Sequence, residues 1–245
     1  MKGDKIMKQL GLQLYSINKY TKENGFEKTF DEVAKMGFTD VEFFTFGDVK
    51  KEDMKKYLEN SGLNAISAHI GDIIGNEEKY AEYMAYLGAD TIVCPWADVS
   101  SEEALKKTIE SLTKSGEILH KLGFKFGFHS HAGEFSTMYN DKTAWDIIFD
   151  SIDPKFLQPQ IDTANTLNGG EDVYELVEKY KHRMPTFHLK EAGADLSNVP
   201  AGDGIIDFAR LLEMTEGLDM KYIYEYEGEN PMEGCAKAAK YLLNL

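Results

Sequence analysis

Five times along the chain, a stretch of helix-spaced apolar residues runs into a glycine and then into a short apolar run. The junctions are Met36-Gly37-Phe38, Ser61-Gly62-Leu63, Leu87-Gly88-Ala89, Leu122-Gly123-Phe124 and Glu216-Gly217-Leu218. Glycine just past a helix accepts the left-handed backbone that stops it, and the apolar residue that follows packs back against the last turn. A strand opening within a few residues of such a stop is the helix-to-strand connection of a parallel sheet. The apolar runs predict strands over residues 10–15, 40–44, 64–69, 91–95, 125–129, 157–162, 185–189 and 222–226. Between them, Phe26, Phe30, Val33 and Ala34 recur at helical spacing, as do Leu105, Ile109, Leu112 and Ile118, and Val173, Leu176, Val177 and Tyr180.

Eight strand–helix units in 245 residues average about 31 residues each, which predicts an α/β fold of the (β/α)₈ TIM barrel type, in one domain spanning residues 1–245. The competing architecture is a doubly wound open sheet. No G-x-G-x-x-G follows the first strand, which weakens its dinucleotide-binding form.

Charge narrows the partners. Lys and Arg number 27 against 42 Asp and Glu, a net charge of −15. A nucleic-acid binder normally presents a basic surface, so this balance argues against one. No run approaches the roughly 18 apolar residues of a membrane span. The N-terminus lacks an apolar leader core, so a cytoplasmic location is expected. Cys94 and Cys235 are too few for a disulfide framework and are read as reduced thiols. Assembly with copies of the same chain is left open.

Barrel enzymes carry their chemistry at the C-terminal ends of the strands. Those ends hold Gln13 and Tyr15, Glu42, His69, Cys94-Pro95-Trp96, His129-Ser130-His131 with Glu134 beyond, Gln160 and Asp162, His188 and Lys190, and Glu225 and Glu227. Four of the six histidines fall there, while His120 and His182 lie in helical segments and read as solvated. Taken singly, Asp162 reads as a helix cap and Glu134 as a loop carboxylate. Together, His129, His131, Glu134, Asp162, His188 and Glu225 converge on one mouth, a donor set suited to Mn²⁺, Zn²⁺, Co²⁺ or Fe²⁺. His129 and His131, two apart on a strand, face the same way. Gln13, Glu42, His69 and Trp96, from the first four strands, are the candidate substrate contacts. Trp96 and Phe44 suit an apolar wall, with core packing the competing role for Phe44. Lys190 suits either a substrate oxygen or an ion pair with a mouth carboxylate. Gly202-Asp203-Gly204 reads as a loop over the mouth after the seventh strand.

The order of these motifs resembles the sugar phosphate isomerase/epimerase group, the xylose isomerase-like TIM barrels. The resemblance runs from Gly11-Leu12-Gln13-Leu14-Tyr15-Ser16 through His69, the segment from His129 to Phe135, Gln160-Ile161-Asp162-Thr163 and His188-Leu189-Lys190-Glu191. It ends with Gly202-Asp203-Gly204, Ile206-Asp207 and Tyr224-Glu225-Tyr226. It implies a divalent metal held by Asp162, His188, Glu225 and one residue of the fifth strand. Epimerases of the group usually carry Glu where this chain has His129, so the fifth-strand ligand is His129, His131 or Glu134; Glu134 is the first choice and His131 the second. The resemblance further implies a sugar or ketose substrate and an enediolate, with Glu225, His129 or His131 as the base and Lys190 assisting. Isomerisation or epimerisation is the leading outcome. The alternatives are a lyase, dehydratase or keto-glycoside-cleaving reaction, and, further off, an endonuclease-like phosphodiesterase or a non-catalytic sugar-binding barrel.

Overall fold

The computed structural model describes residues 9–245; the first eight residues, part of the segment read above for a leader, lie outside it. Eight parallel strands form the sheet: β1 Gly11–Gln13, β2 Asp40–Phe43, β3 Asn64–His69, β4 Thr91–Cys94, β5 Lys125–His129, β6 Gln158–Gln160, β7 Thr186–Leu189 and β8 Lys221–Tyr224. Sequential neighbours pair from β1 to β6, and β8 joins β1 to β7. The ring closes where His188 N–H donates to Ile161 O at 2.9 Å and Asp162 bridges to His188. This is the expected (β/α)₈ barrel. Among the described residues no helix is long and apolar enough to cross a membrane.

The strands that departed from expectation did so for local reasons. β1 stops at Gln13 because its side-chain oxygen accepts from Tyr15 N–H and starts a 3₁₀ turn over Leu14–Ile17. β6 ends at Gln160, and Asp162 turns instead into the cap of the short helix Thr163–Asn168. The segment around Glu134, expected as a loop, is a short helix, Ala132–Ser136.

Strand periodicity sorts the side chains. One set, including Leu12, Val41, Phe43, Phe128, Phe187 and Leu189, is fully buried beneath the surrounding helices. There Trp145 packs 4.5 Å from Phe149 and 5.1 Å from Phe135 between ring centroids. Each such ring contributes on the order of 1.5–3 kcal/mol by leaving water. The helices end as their glycines require: Gly62 and Gly88, at φ 73° and 92°, are left-handed caps.

The other set points into the barrel, and here the interior departs from the usual plug of branched apolar side chains. Gln13, Glu42, Ser67, Gln160 and His188 are all fully buried, with Thr186 1% exposed. The register sets Glu42 opposite both Gln13 and Ser67, and His129 opposite Gln160. A polar plug of this kind holds only if each member finds partners.

Candidate active site

Glu42 is the hub of that plug. Its carboxylate accepts from Gln13 Nε2 at 2.6 Å, Ser67 Oγ at 2.6 Å, Gln160 Nε2 at 2.9 Å and His188 Nε2 at 2.6 Å. His69 Nε2 lies 3.1 Å away. Burial alone would raise the Glu42 pKa, but the two imidazoles beside it bring it down to about 2. Burial likewise opposes charge on His188, yet Glu42 and Glu225 outweigh it and lift the imidazole to about 10. The two form a buried ion pair.

A second polar set sits on this plug. One donor atom from each of His129, Asp162, His188 and Glu225 lies within 4.8 Å of the others, and all four residues are buried. They come from the ends of β5, β6, β7 and β8. His188 Nδ1 is 2.8 Å from Glu225 Oε2 and 4.0 Å from Asp162 Oδ2. Asp162 does two things at once. Its Oδ1 caps the helix after β6 by accepting from Asn165 N–H at 2.8 Å, while its Oδ2 is buried with no hydrogen-bond partner. Burial raises its pKa, with Lys190 pulling against and Glu225 adding to the rise. Burial acts in the same sense on Glu225, but Lys190 and His188 hold that carboxyl well below its usual range.

This set fits a divalent cation. Two imidazoles and two carboxylates are the mixed donors that Zn²⁺, Mn²⁺, Co²⁺ and Fe²⁺ accept, at about 2.0–2.2 Å for zinc. A lone carboxylate oxygen inside a protein costs several kcal/mol unless something cationic meets it, and Asp162 Oδ2 is such an oxygen. A second group, His69, His129 and His188, also brings one nitrogen each within 4.8 Å.

Above the donors opens a cleft of about 500 Å³ lined by Tyr15, Phe44, His69, Gly71, Pro95, Trp96, His129, His131, Glu225 and Glu227. Trp96 is 62% exposed, and Tyr15 meets Phe44 edge-on at 5.5 Å. Phe44 thus belongs to the wall as well as to the packing behind it. His131 is exposed, with its ring 4.9 Å from that of His129. Desolvation at the mouth lowers its pKa, with Glu225 opposing, so the imidazole is neutral at pH 7.

The expected site residues therefore divide. His69, Trp96, His129, His131 and Glu225 line the cleft. Gln13 and Glu42, expected at the substrate, are fully buried below the floor and hold the histidines in place. Lys190 is 3% exposed and does not line the cleft; its Nζ lies 3.4 Å from Glu225 Oε1 and also pairs with Glu227, the ion-pair alternative. Glu134, the first choice for a metal ligand, is not in either donor group. Its Oε2 accepts from His131 N–H at 2.8 Å, closing the first turn of its own helix. The fifth-strand member of the four-residue set is His129. The Gly202–Gly204 loop does not line the cleft either. Glu191 clamps it by accepting from Gly202 and Ile206 N–H at 3.2 and 3.0 Å. Gln160, named only as a strand-end residue, emerges as a second hub; its signal was its place two residues before Asp162, on the same strand face.

A parallel barrel whose C-terminal mouth gathers two imidazoles and two carboxylates around one point has the architecture of a barrel enzyme, with a buried group that could hold a divalent cation. Residues 30–245 match the xylose isomerase-like TIM barrel family, and the chain belongs to it. The chain is 25% identical over 270 residues to an inosose dehydratase of Clostridium beijerinckii, covering 90% of each. It is 27% identical over 271 residues to another from Clostridium perfringens, again over 90% of each. In structure it resembles a sugar phosphate isomerase/epimerase of Parabacteroides distasonis, with a TM-score of 0.80, 24% identity and 97% and 94% of the two chains covered. These relatives are enzymes, and so is this chain.

Proposed function

We propose that the chain is a metal-dependent lyase that removes water from a polyhydroxylated cyclic ketone of the inosose type. The observation that carries this is the convergence of His129, Asp162, His188 and Glu225 under the cleft, with Asp162 Oδ2 buried and unpartnered. Those four residues would hold the cation, which as a Lewis acid would polarise the substrate carbonyl. The two Clostridium relatives supply the direction, since both are inosose dehydratases.

The chain's own groups support elimination. His131, exposed in the cleft and neutral, is the group left free to take the proton next to the carbonyl once His129 and Glu225 are committed as donors. The C–H electron pair becomes a C=C bond, the adjacent C–O bond breaks, and His131 returns its proton to the departing hydroxide, giving water. Lys190 neutralises Glu225 and Glu227 and keeps them in place. Trp96 and Phe44 offer aromatic faces to the C–H surface of the ring. Two buried free thiols, Cys94 and Cys235, support a cytoplasmic location.

The second reading, an isomerase or epimerase, shares the proton abstraction. The identity of residue 129 weighs against it, because the fifth strand offers an imidazole where a two-carboxylate epimerase needs a glutamate. The test is incubation of the Mn²⁺ and Zn²⁺ forms with inososes and ketohexoses in D₂O. A new conjugated-enone absorbance, lost in His131→Ala, supports the lyase. Deuterium incorporation with an isomeric product and no enone supports the isomerase. No exchange with any ketone overturns both.

A further inference from the structure

The plug contains one side chain whose hydrogen bonds decide the chemistry of two histidines. Gln160 Nε2 donates to Glu42 Oε2 at 2.9 Å and to Thr186 Oγ1 at 2.8 Å. Its Oε1 lies 2.6 Å from His69 Nε2 and 2.8 Å from His129 Nδ1. All of these groups are buried.

The amide has one workable orientation. Glu42 is a carboxylate with four other buried neighbours donating to it or pairing with it, and it can only accept. The amide nitrogen must face it. Turning the amide over would set its carbonyl oxygen against the Glu42 carboxylate, which has no hydrogen to give, replacing a buried hydrogen bond worth on the order of 1–3 kcal/mol with a repulsive contact. The amide oxygen therefore faces the two imidazoles, and an oxygen can only accept. His129 must carry its hydrogen on Nδ1, and His69 on Nε2. His188 Nε2, facing Glu42, carries one for the same reason.

The geometry points to Gln160 as the residue that sets the His129 tautomer, leaving the Nε2 lone pair as the only one that ring can offer a cation. With its Nδ1 hydrogen given to Gln160, His129 has its Nε2 to offer the set that also contains Asp162, His188 and Glu225. Gln160 is a positioning residue, acting through His129 as outer partners of metal-ligating histidines do. This rests on the metal-centre reading above.

The test uses the full-length, metal-free protein labelled with ¹⁵N at histidine. Two-bond ¹H–¹⁵N correlation reports which ring nitrogen carries the hydrogen. The expected result is an Nδ1–H tautomer for His129 in the wild type, lost or averaged with the other tautomer in Gln160→Met. Zn²⁺ affinity of that variant should fall about 10–100-fold. An Nε2–H tautomer at His129 in the wild type overturns the proposal, as does an unchanged tautomer in Gln160→Met. Should Gln160→Met fail to fold, the wild-type tautomer decides by itself. Failure of the metal-centre reading looks different: Zn²⁺ binding is then absent, or indifferent to Asp162→Ala and His188→Ala, whatever the tautomer.

Discussion

Glu42 Oε1 and His188 Nε2 lie 2.6 Å apart, 146 residues apart in the chain and both without solvent exposure. The pair ties β2 to β7 across the barrel and turns the other face of the imidazole toward Asp162 and Glu225. Buried charges attract strongly, but each has lost its water, so breaking one partner costs more than the pair contributes. Glu42→Ala leaves His188 charged beside the remaining carboxylates and is expected to destabilise the fold by about 3–5 kcal/mol in urea unfolding. Glu42→Gln keeps acceptor capacity and should cost less. Equal, small losses for both would show that the pair does not organise the plug.

Asp162 separates capping from cation binding within one side chain. In Asp162→Asn the side-chain oxygen still caps Asn165 N–H, while the buried unpartnered oxygen is replaced and the charge is lost. Metal affinity should collapse while thermal stability of the metal-free protein stays level or rises, because one buried carboxylate no longer faces Glu225. Asp162→Ala loses the cap as well, about 1 kcal/mol. Retained metal binding in Asp162→Asn, measured by calorimetry, would remove Asp162 from the ligand set.

Glu134 makes stability depend on pH in an unusual direction. Burial raises its pKa from 4.5 to about 7. A carboxyl with a raised folded-state pKa prefers to be protonated in the folded protein. Its contribution is complete below 4.5 and is lost as pH rises toward 7, a difference of about 3 kcal/mol at most. Glu134→Gln keeps an oxygen for His131 N–H and removes the charge. It should match the wild type in thermal stability at pH 5 and exceed it at pH 8. A loss of metal binding in this variant would instead return Glu134 to the ligand set.

Trp96 is exposed at the cleft and bears little of the core. Trp96→Ala should change stability by less than about 0.5 kcal/mol. If its face meets the ring of the substrate, KM rises while kcat holds. An unchanged KM would assign the wall to Tyr15 and Phe44 alone.

The barrel is legible in the amino-acid sequence. Five glycine stops, all with positive φ in the structure, and eight apolar runs at regular spacing left little choice of architecture. So is the gathering of His69, His129, His131, Asp162, His188 and Glu225 at one end, because a parallel barrel aligns all its strand ends. The roles of Gln13, Glu42 and Glu134 were not legible. Depth along the barrel axis separates a floor residue from a lining residue, and it depends on register between strands; Glu42 and His69 sit on adjacent strands yet at different levels. Glu134 turned to its own helix terminus because the nearest unpaired N–H, that of His131, lay three residues back.

The amino-acid sequence alone determined which residues alternate inward and where each helix stops, since both follow from local backbone geometry and side-chain period. Only the tertiary structure decided which inward carboxylate would be paired and which left open. Glu42 meets four buried donors, one of them an imidazolium, while Asp162 keeps one oxygen bare. That difference is set by what β1, β3, β6 and β7 bring to Glu42 and what β5, β7 and β8 bring to Asp162, and no pattern along a single strand carries it.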